Sequence, residues 1–410
     1  MDKAENKVWL TIIGIGEEGW DGLCPEAQEA LRTADAVIGG ARHRGLIPDE
    51  IAAYEAWPSP MKALVDKIPA RRGQKICVLA SGNPLFFGIG AHLSTLIPPE
   101  EMRIFPHISA FSLICARMKW SEPDTACITA CGRPVENLHR ALFHKARIVL
   151  YSSGPETPHQ AAALLCARGF GGSRFSIFEH VGGPHERITT LRADALKAGD
   201  IFAPLNSIAI ACRADRGAPQ YSTAPGLPEA AYDTDGQITK RDIRAAALAR
   251  LSPRPGQLLW DVGAGSGSVA IEWMRAAHEA RAVAVEMNPE RCARIRRNAA
   301  NLGVPRLQII EGRAPEALES LARPDAIFIG GGITTPGLAE ACWAALKPGG
   351  RIVANTVTLE GETALLPWHR RHGGRLVRIN VEHAETIGGF LGWKPARPIM
   401  RWSATKPEEA

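Results

Sequence analysis

Residues 257–274 read QLLWDVGAGSGSVAIEWM, and their pattern predicts the fold of the second half of the chain. An apolar run of strand character passes into a glycine loop spaced G-x-G-x-G, and a helical pattern follows at once. Glycines at such a turn allow the backbone to bend tightly and to approach a ligand. Strand, glycine loop and helix in this order predict a ligand site at the carboxyl edge of a doubly wound α/β sheet.

The rest of the second half supports a seven-stranded sheet. Runs of strand character recur with helical patterns between most of them, which predicts strands joined by crossover helices. A helix is also predicted over residues 239–251, with Thr239 available to cap it. The predicted strands are 257–263, 281–287, 307–313, 324–330, 350–357, 375–383 and 397–404.

Residues at the ends of the neighbouring strands indicate which ligand this site binds. Glu286 ends the second predicted strand, where a carboxylate can accept both hydroxyls of a ribose. Ala314 follows the third strand and could flank an adenine. Asp261 at the mouth of the loop would repel a pyrophosphate and attract an amino group or a sulfonium. These features predict S-adenosylmethionine, which has adenine, ribose and no phosphate.

This half, over residues 237–405, resembles the class I methyltransferases. More narrowly, GQITKRDIRAAAL, EGRAPEAL and PDAIFIGGG resemble the precorrin and cobalt-precorrin C15-methyltransferase and decarboxylase family. The ends of the fourth and fifth strands are where a flat methyl acceptor would approach, which predicts a substrate pocket at Gly331, Gly332 and Asn355. The resemblance implies cofactor contacts at Thr239, Gly263, Ala264, Gly265, Ser266, Gly267, Glu286 and Ala314.

The first half begins with a second glycine loop, IIGIGEEGW at residues 12–20, whose G-x-G-x-x-G spacing is also typical of dinucleotide sites. Glu17 and Glu18 would repel two phosphates. The helix that should receive the pyrophosphate begins only near Pro25. The next strand ends in AVIGGAR, without an acidic residue to hold a ribose. We therefore reject the dinucleotide interpretation.

Strand and helix patterns alternate in the first half as well, which predicts an α/β domain with a mainly parallel sheet. The predicted strands are 8–14, 34–40, 75–82, 102–109, 146–153, 173–182 and 207–213.

Four motifs of this half, GIGEEG, SGNPLFFGIG, FPHISAFSLICARM and EHVGGPHERI, together resemble the tetrapyrrole methylases, most narrowly the precorrin C5-methyltransferase type, over residues 8–213. The resemblance implies a two-subdomain fold with S-adenosylmethionine in the cleft between the subdomains. The family usually has Pro where Glu18 stands, and Gly-Asp-Pro where this chain has Gly-Asn-Pro. The implied cofactor contacts are Gly14, Gly82, Asn83, Ser109 and Ala110.

The chain divides into residues 1–213, a linker rich in Pro, Gly, Ala and Asp at 214–236, and residues 237–410. Together the two resemblances imply a bifunctional enzyme of cobalamin synthesis. It would methylate a precorrin at C5 in the first domain and at C15 in the second, where an acetate arm also loses CO₂. We expect one S-adenosylmethionine per domain and no metal. Positioning of the reactants is expected to suffice, so we assign no catalytic residue.

Charge agrees with an anionic substrate. Residues 237–410 contain 24 Lys and Arg against 17 Asp and Glu, whereas residues 1–236 contain 24 against 26. Arginine binds carboxylates such as those of a tetrapyrrole in bidentate fashion.

The basic second half is also compatible with an alternative function, a class I RNA or tRNA methyltransferase with an N-terminal accessory domain. IFIGGG lacks the Asn/Asp-Pro-Pro-aromatic sequence of base-amine methylation. A second alternative is that one domain is only a scaffold.

The nine cysteines are scattered without C-x-x-C pairs, which predicts reduced thiols.

No apolar run is long enough to cross a bilayer, and MDKAENKVWL does not resemble a signal peptide. We therefore expect a cytoplasmic protein that binds neither a membrane nor nucleic acid. The resemblance implies a homo-oligomer formed by the second domain.

Overall fold

The computed structural model describes residues 8–51 and 53–408, and contacts between residues divide the chain into two units. Unit 1 comprises the residues up to Val135 together with Phe143–Pro219. Unit 2 comprises Glu136–Leu142 and the residues from Gln220 onwards. No helix of the described part of the chain is long and apolar enough to cross a membrane.

The first sheet of unit 1 is parallel throughout, with the strand order β3-β2-β4-β1-β5. The two central strands are buried and apolar because helices cover both faces of the sheet. The first long helix begins at Pro25, as predicted. The strands are β1 (Leu10–Ile15), β2 (Ala36–Gly39), β3 (Tyr54–Ala56), β4 (Ile76–Ser81) and β5 (Met102–Phe105). The helices are α1 (Pro25–Arg32), α2 (Ala41–Arg44), α3 (Lys62–Val65), α4 (Ile89–Leu93) and α5 (Ala110–Met118).

The second sheet of unit 1 has the order β6-β7-β10-β8-β9, and only β6 and β7 pair in parallel. The expectation of a mainly parallel sheet is therefore correct for the first sheet and wrong for this one. Residues 180–186 connect β8 and β9, which pair as an antiparallel hairpin, and β10 pairs between β7 and β8. The elements are β6 (Thr125–Thr129), β7 (Arg147–Tyr151), α6 (Thr157–Ala167), β8 (Arg174–Glu179), β9 (Arg187–Arg192) and β10 (Asn206–Ala211).

Unit 2 contains the predicted seven-stranded doubly wound sheet, in the order β13-β12-β11-β14-β15-β19-β16. Alternate side chains of the central strand pack into separate apolar clusters, Leu259 into one and Trp260 into the other, so both faces are covered. The strands are β11 (Leu258–Val262), β12 (Arg281–Glu286), β13 (Gln308–Glu311), β14 (Ala326–Ile329), β15 (Arg351–Thr356), β16 (Arg375–Ile379) and β19 (Ile399–Thr405). The helices are α7 (Arg241–Leu251), α8 (Ser268–Ala276), α9 (Pro289–Asn301), α10 (Leu338–Ala345) and α11 (Leu359–His372).

A two-stranded hairpin outside this sheet was not predicted. The predicted strand 375–383 ends as β16 at Ile379, and the chain then forms β17 (Glu382–Ile387) and β18 (Phe390–Pro395). Large apolar side chains of the hairpin are exposed, with Phe390 82% and Trp393 71% accessible.

The segment predicted as a linker divides between the units. Residues 214–219 remain with unit 1, and residues 220–236 pack on unit 2, where Leu227 and Tyr232 enter the core. A buried ion pair holds this second part in place. Glu272 of α8 accepts hydrogen bonds from Arg244 Nε (2.6 Å), the Tyr232 hydroxyl (2.8 Å) and the Leu227 N–H (3.0 Å). The second part of the predicted linker is thus fixed to α7 and α8.

Candidate active sites

The glycine loop of unit 2 joins β11 to α8 at the carboxyl edge of the sheet. Gly263, Gly265 and Gly267 all have positive φ, which other residues rarely adopt. A Cβ at Gly265 would lie 2.9 Å from the Gln237 carbonyl oxygen, and one at Gly263 would lie 3.2 Å from the Gly331 backbone. Gly265 and Gly263 therefore lie where two other backbone segments approach the loop and leave little room for a side chain. Ala264 lies between these glycines and packs against the core.

Glu286 lies at the tip of β12 beside this loop, as the sequence predicts. Its side chain is buried, with 5% accessibility. One carboxylate oxygen accepts a hydrogen bond from the Gly265 N–H (2.9 Å), and the other accepts from the Asn288 N–H (3.0 Å). Each oxygen keeps a further lone pair. The backbone therefore holds a carboxylate in one orientation, with capacity to accept two ligand hydroxyls.

Asp261 is buried beneath the loop, contrary to the expectation that it stands at the mouth. Its accessibility is 1%, and Oδ2 accepts from the Ala270 N–H of α8 at 2.9 Å. Burial raises the pKa of this carboxyl to about 7, with a smaller contribution from the charge of Glu286, and the Ala270 bond opposes the rise. Side chains alternate along β11, so Asp261 points to the same face as Leu259, towards α8.

Thr239 and Ser266 lie where a short segment before α7 meets the glycine loop. Ser266 Oγ donates a hydrogen bond to the Gln237 carbonyl (2.8 Å) and lies 2.9 Å from Thr234 Oγ1, so its side chain fixes the loop against this segment. The helix begins at Arg241, and Lys240 occupies the cap position without a side-chain bond. The expectation that Thr239 caps this helix is therefore wrong. Ala314 follows β13 at the same edge of the sheet and packs against the core.

Gly331 and Gly332 follow β14, adjacent to the glycine loop. A Cβ at Gly331 would meet no atom within 4 Å among the described residues, whereas Gly332 has a φ of +80° and packs near Leu338. Open space thus lies at Gly331, and the backbone conformation requires glycine at Gly332.

Asn355 at the end of β15 is oriented by a buried arginine. Arg401 Nε donates to Asn355 Oδ1 at 2.8 Å, and its Nη2 donates to the Ile243 carbonyl at 2.7 Å. Because Arg401 only donates, the amide oxygen must face it. The Asn355 Nδ2 group is buried and has no partner among the described residues. Burial also lowers the pKa of Arg401 to about 10.

In unit 1, three loops predicted to touch the cofactor converge at the carboxyl edge of the first sheet. A Cβ at Gly14 would lie 2.1 Å from the Gly82 carbonyl oxygen, so these two backbones are in direct contact. Gly82 has a φ of +61°, and a Cβ there would lie 3.2 Å from Ser109 Cα. Ser109 caps α5 by accepting from the Ser112 N–H at 3.1 Å. Asn83 Oδ1 accepts from the Leu85 N–H at 3.0 Å and stabilises its own turn.

An open cleft of about 460 Å³ lies beside these loops, between the two sheets of unit 1, with Gly82 and Ala110 in its wall. Asn206 contributes from β10 and is 5% accessible. Its amide Nδ2 donates to the carbonyls of Ala203 (2.8 Å) and Gly154 (3.2 Å). The Asn206 Oδ1 atom is left buried without a partner among the described residues. A ligand N–H group would satisfy this acceptor.

The acidic residues of the first glycine loop are paired with bases in the structure. Glu17 forms an ion pair with Arg42 and accepts a hydrogen bond from His180 Nδ1 at 2.8 Å, and Glu18 lies 2.9 Å from His107 Nε2. Sequence analysis missed these pairs, and also Asn206 and Arg401. Glu17 and His180 are 163 positions apart, and no local pattern joins them.

Comparison with known proteins matches a different family model to each half of the chain. The model of the tetrapyrrole (corrin/porphyrin) methylases matches residues 9–197, and that of the precorrin methyltransferase domain matches residues 230–406. A Sinorhizobium protein named precorrin-6Y C(5,15)-methyltransferase [decarboxylating] is 47% identical over 97% of this chain and 96% of its own. The chain belongs to this family of decarboxylating precorrin-6Y C(5,15)-methyltransferases. It is therefore an S-adenosylmethionine-dependent methyltransferase.

Two relatives of the precorrin-6Y C(5,15)-methyltransferases match shorter parts of the chain. A Salmonella typhimurium cobalt-precorrin-7 C(5)-methyltransferase is 34% identical over 46% of this chain and 93% of its own. A Pyrobaculum calidifontis protein named "Probable cobalt-precorrin-6B C(15)-methyltransferase (decarboxylating)" is 38% identical over 34% of this chain and 73% of its own. These relatives support the tetrapyrrole interpretation and not the RNA methyltransferase alternative.

The residues of both sites fit S-adenosylmethionine. In unit 2, Glu286 offers oriented lone pairs for ribose hydroxyls beside the glycine loop, and open space lies next to that loop at Gly331. In unit 1, Asn206 Oδ1 is a buried acceptor without a partner among the described residues, and the ligand carries N–H donors on adenine and on its amino group. When bound, the cofactor supplies an electrophilic methyl group on a sulfonium sulfur.

Proposed function

We propose that this chain methylates a precorrin macrocycle at C5 and at C15 and decarboxylates an acetate side chain, as a step of cobalamin biosynthesis. One observation carries the proposal. Two structurally unrelated units, each with a glycine-lined site at the carboxyl edge of its own sheet, occur in one chain whose two family matches fall on separate units. A single methylation would need only one of them.

We assign C5 methylation to unit 1, and C15 methylation with decarboxylation to unit 2, with one S-adenosylmethionine in each. The tetrapyrrole methylase match lies within unit 1, apart from a few residues at 136–142, and the precorrin methyltransferase match lies within unit 2. The two shorter relatives carry one methylation each in their names, C(5) and C(15). In this proposal neither site uses a metal. The described residues contain no group of three or more metal-ligating side chains.

Residues of unit 2 would bind and orient the reactants. Glu286 would accept the ribose hydroxyls, the Gly263–Gly267 loop would approach the cofactor through its backbone, and Thr239 and Ala314 would flank it. The open space at Gly331 would admit the edge of the macrocycle. Asn355 Nδ2, buried without a partner in the described structure, would donate to a substrate carboxylate. Leaving such a group unsatisfied costs about 1–3 kcal/mol, which substrate binding would recover.

Residues of unit 1 would hold the second cofactor mainly through backbone. Gly14, Gly82, Asn83, Ser109 and Ala110 belong to the three converging loops, and Asn206 would accept from a ligand N–H. The polycarboxylate substrate would meet Arg42, whose guanidinium lies in the cleft wall.

We propose further that the enzyme is a homo-oligomer in which the β17–β18 hairpin is buried. Ile387, Phe390, Leu391 and Trp393 of this hairpin are between 65% and 82% accessible. Such an exposed apolar patch marks an interaction surface, and an isolated two-stranded hairpin is only marginally stable. Light scattering should give a multiple of the chain mass for the wild type and the monomer for Phe390→Asp. A monomeric wild type would contradict this proposal.

The function is tested by mass spectrometry of a precorrin-6Y substrate after incubation with the full chain and S-adenosylmethionine. We expect a product with two added methyl groups and one carboxyl group lost as CO₂. A salt-sensitive gel shift with tRNA, without any change in the precorrin, would instead support an RNA methyltransferase.

A further inference from the structure

A cluster of four polar side chains, distant in sequence, forms part of the wall of the unit 1 cleft: Glu17, Arg42, Ser81 and His180. Glu17 Oε2 lies 2.8 Å from His180 Nδ1, and its other oxygen accepts from Arg42. Arg42 also donates to Ser81 Oγ at 2.8 Å. None of these four is among the predicted cofactor contacts.

The backbone holds His180 against Glu17 in an unusual conformation. His180 has a φ of +49°, in the left-handed region that residues other than glycine rarely adopt. Its carbonyl accepts from the Gly183 N–H at 3.0 Å, and a Cβ at Gly183 would lie 2.4 Å from Glu17 Cβ. The turn is thus packed directly on Glu17. Strained residues of this kind cluster at functional sites, where the surrounding structure maintains them.

The hydrogen bond to Glu17 fixes which ring nitrogen of His180 can accept a proton. Glu17 forms an ion pair with Arg42, and a carboxylate in an ion pair can only accept hydrogen bonds. Nδ1 of His180 must therefore carry the hydrogen, and Nε2 carries the lone pair. The side chain is 31% accessible, and Nε2 makes no hydrogen bond to any residue in the described part of the chain. A basic nitrogen is therefore available in the cleft.

The proposed reactions differ in their proton balance. Replacing a ring C–H by C–CH₃ with a methyl group from a sulfonium releases one proton. Converting an acetate arm to a methyl group with loss of CO₂ consumes one. In unit 2 the proton released by C15 methylation is consumed by the decarboxylation. C5 methylation in unit 1 releases a proton that no accompanying step consumes, so this unit needs an acceptor.

We propose that His180 is the proton acceptor for methylation in unit 1 and that Glu17 positions it. This inference rests on the proposed assignment of C5 methylation to unit 1. After the carbon–carbon bond has formed and the carbon–sulfur bond has broken, the C–H bond at the methylated carbon breaks. Its electron pair returns to the ring system, and the proton moves to His180 Nε2. The Glu17 carboxylate then faces the imidazolium and stabilises its charge. For unit 1, this replaces the expectation that positioning alone suffices.

Two substitutions at His180 separate proton transfer from structure. His180→Asn tolerates a left-handed φ and keeps an N–H group close to the position of Nδ1, but it has no basic nitrogen. His180→Gly also accepts this φ and leaves space that free imidazole can enter. His92→Asn, on the exposed surface of α4, is the matched control. The full chain is assayed with a precorrin-6Y substrate, with methyl additions and CO₂ loss followed separately, and cofactor binding is measured by calorimetry.

We expect both His180 variants to form the doubly methylated product about 10²–10⁴-fold more slowly than the wild type, the range for loss of a general base. Cofactor binding should be unchanged, imidazole should accelerate His180→Gly, and His92→Asn should match the wild type. Wild-type rates in His180→Asn, or a loss accompanied by weaker cofactor binding that imidazole does not relieve, would overturn the proposal. A wild-type chain that transfers no methyl group to the precorrin would instead refute the proposed function, and this inference with it.

Discussion

The two sites of this chain differ in how they hold their acidic groups. In unit 2, Glu286 and Asp261 are 5% and 1% accessible and are held by backbone N–H groups. In unit 1, Glu17 is held by the side chains of Arg42 and His180, which are 34% and 31% accessible. A backbone N–H group is not a proton acceptor, whereas a partly exposed imidazole is one. The difference indicates carboxyl groups fixed by the backbone in unit 2 and, in unit 1, an imidazole that can take up a proton from a ligand in the cleft.

Removal of the buried ion pair between Glu272 and Arg244 should destabilise unit 2 without affecting unit 1. Glu272→Gln leaves Arg244, which is 0% accessible, without its charge partner. Removing one member of a buried pair typically costs about 3–5 kcal/mol. We expect hydrogen exchange to accelerate throughout unit 2, with protection in unit 1 unchanged. Glu319→Gln at an exposed position is the control. Unchanged exchange in unit 2 would show that this pair does not brace it.

Glu286→Ala should remove cofactor binding from unit 2 alone. The variant loses an acceptor for the ribose hydroxyls and leaves the N–H groups of Gly265 and Asn288 without their partner. Hydrogen bonds to charged groups contribute about 1.5–3 kcal/mol each, so we expect affinity at this site to fall by about 100-fold or more. Exposed Glu290→Ala is the matched control. Equal affinity in calorimetry of the two variants would exclude Glu286 as a ribose ligand.

Gly331→Leu tests whether the substrate, as distinct from the cofactor, binds beside Gly331 in unit 2. Position 331 has open space around it, so the substitution should leave the fold and cofactor affinity intact. The added side chain should hinder the macrocycle and slow C15 methylation and CO₂ release by roughly 10-fold or more, by disturbing alignment of the reactants. Gly332→Leu is a poorer probe, because Gly332 has a positive φ and the variant would be strained. Normal CO₂ release by Gly331→Leu would place the substrate elsewhere.

Unit 2 should also show a pH dependence of stability. Burial raises the pKa of Asp261 from an ordinary 3.8 to about 7. The folded state therefore binds a proton that the unfolded state releases, and this contribution to stability is lost as pH rises from about 4 to 7. Asp261→Asn keeps an acceptor for the Ala270 N–H and removes the titration. The unfolding temperature of the wild type relative to this variant should fall as pH rises over that interval, and a constant difference would contradict this prediction.

The sequence predicts those features that are local to one strand and its loop. The G-x-G-x-G turn, Glu286 at the next strand tip and the seven strands of unit 2 follow from hydrophobic patterns and glycine spacing. The position of Asp261 could have been predicted from the alternation along β11, which turns every second side chain towards α8. The antiparallel pairings in the second sheet of unit 1 could not have been predicted, because the pairing of β10 between β7 and β8 depends on contacts distant in sequence.

Features that depend on tertiary contacts lie beyond such patterns. Residues 220–236 have no regular period, yet Leu227 and Tyr232 are core residues because Glu272 and Arg244 bind their segment. The pairing of Glu17 with His180 likewise arises only when β1 and β8 are brought to one cleft. Polar residues separated by such distances carry no signal in a single sequence.

The central claim, that each unit binds its own S-adenosylmethionine, is tested most directly by calorimetric titration of the full chain and of Glu286→Ala. We predict two cofactor molecules per wild-type chain and one per variant chain. One molecule per wild-type chain, or tight binding of NAD or ATP in its place, would contradict the account.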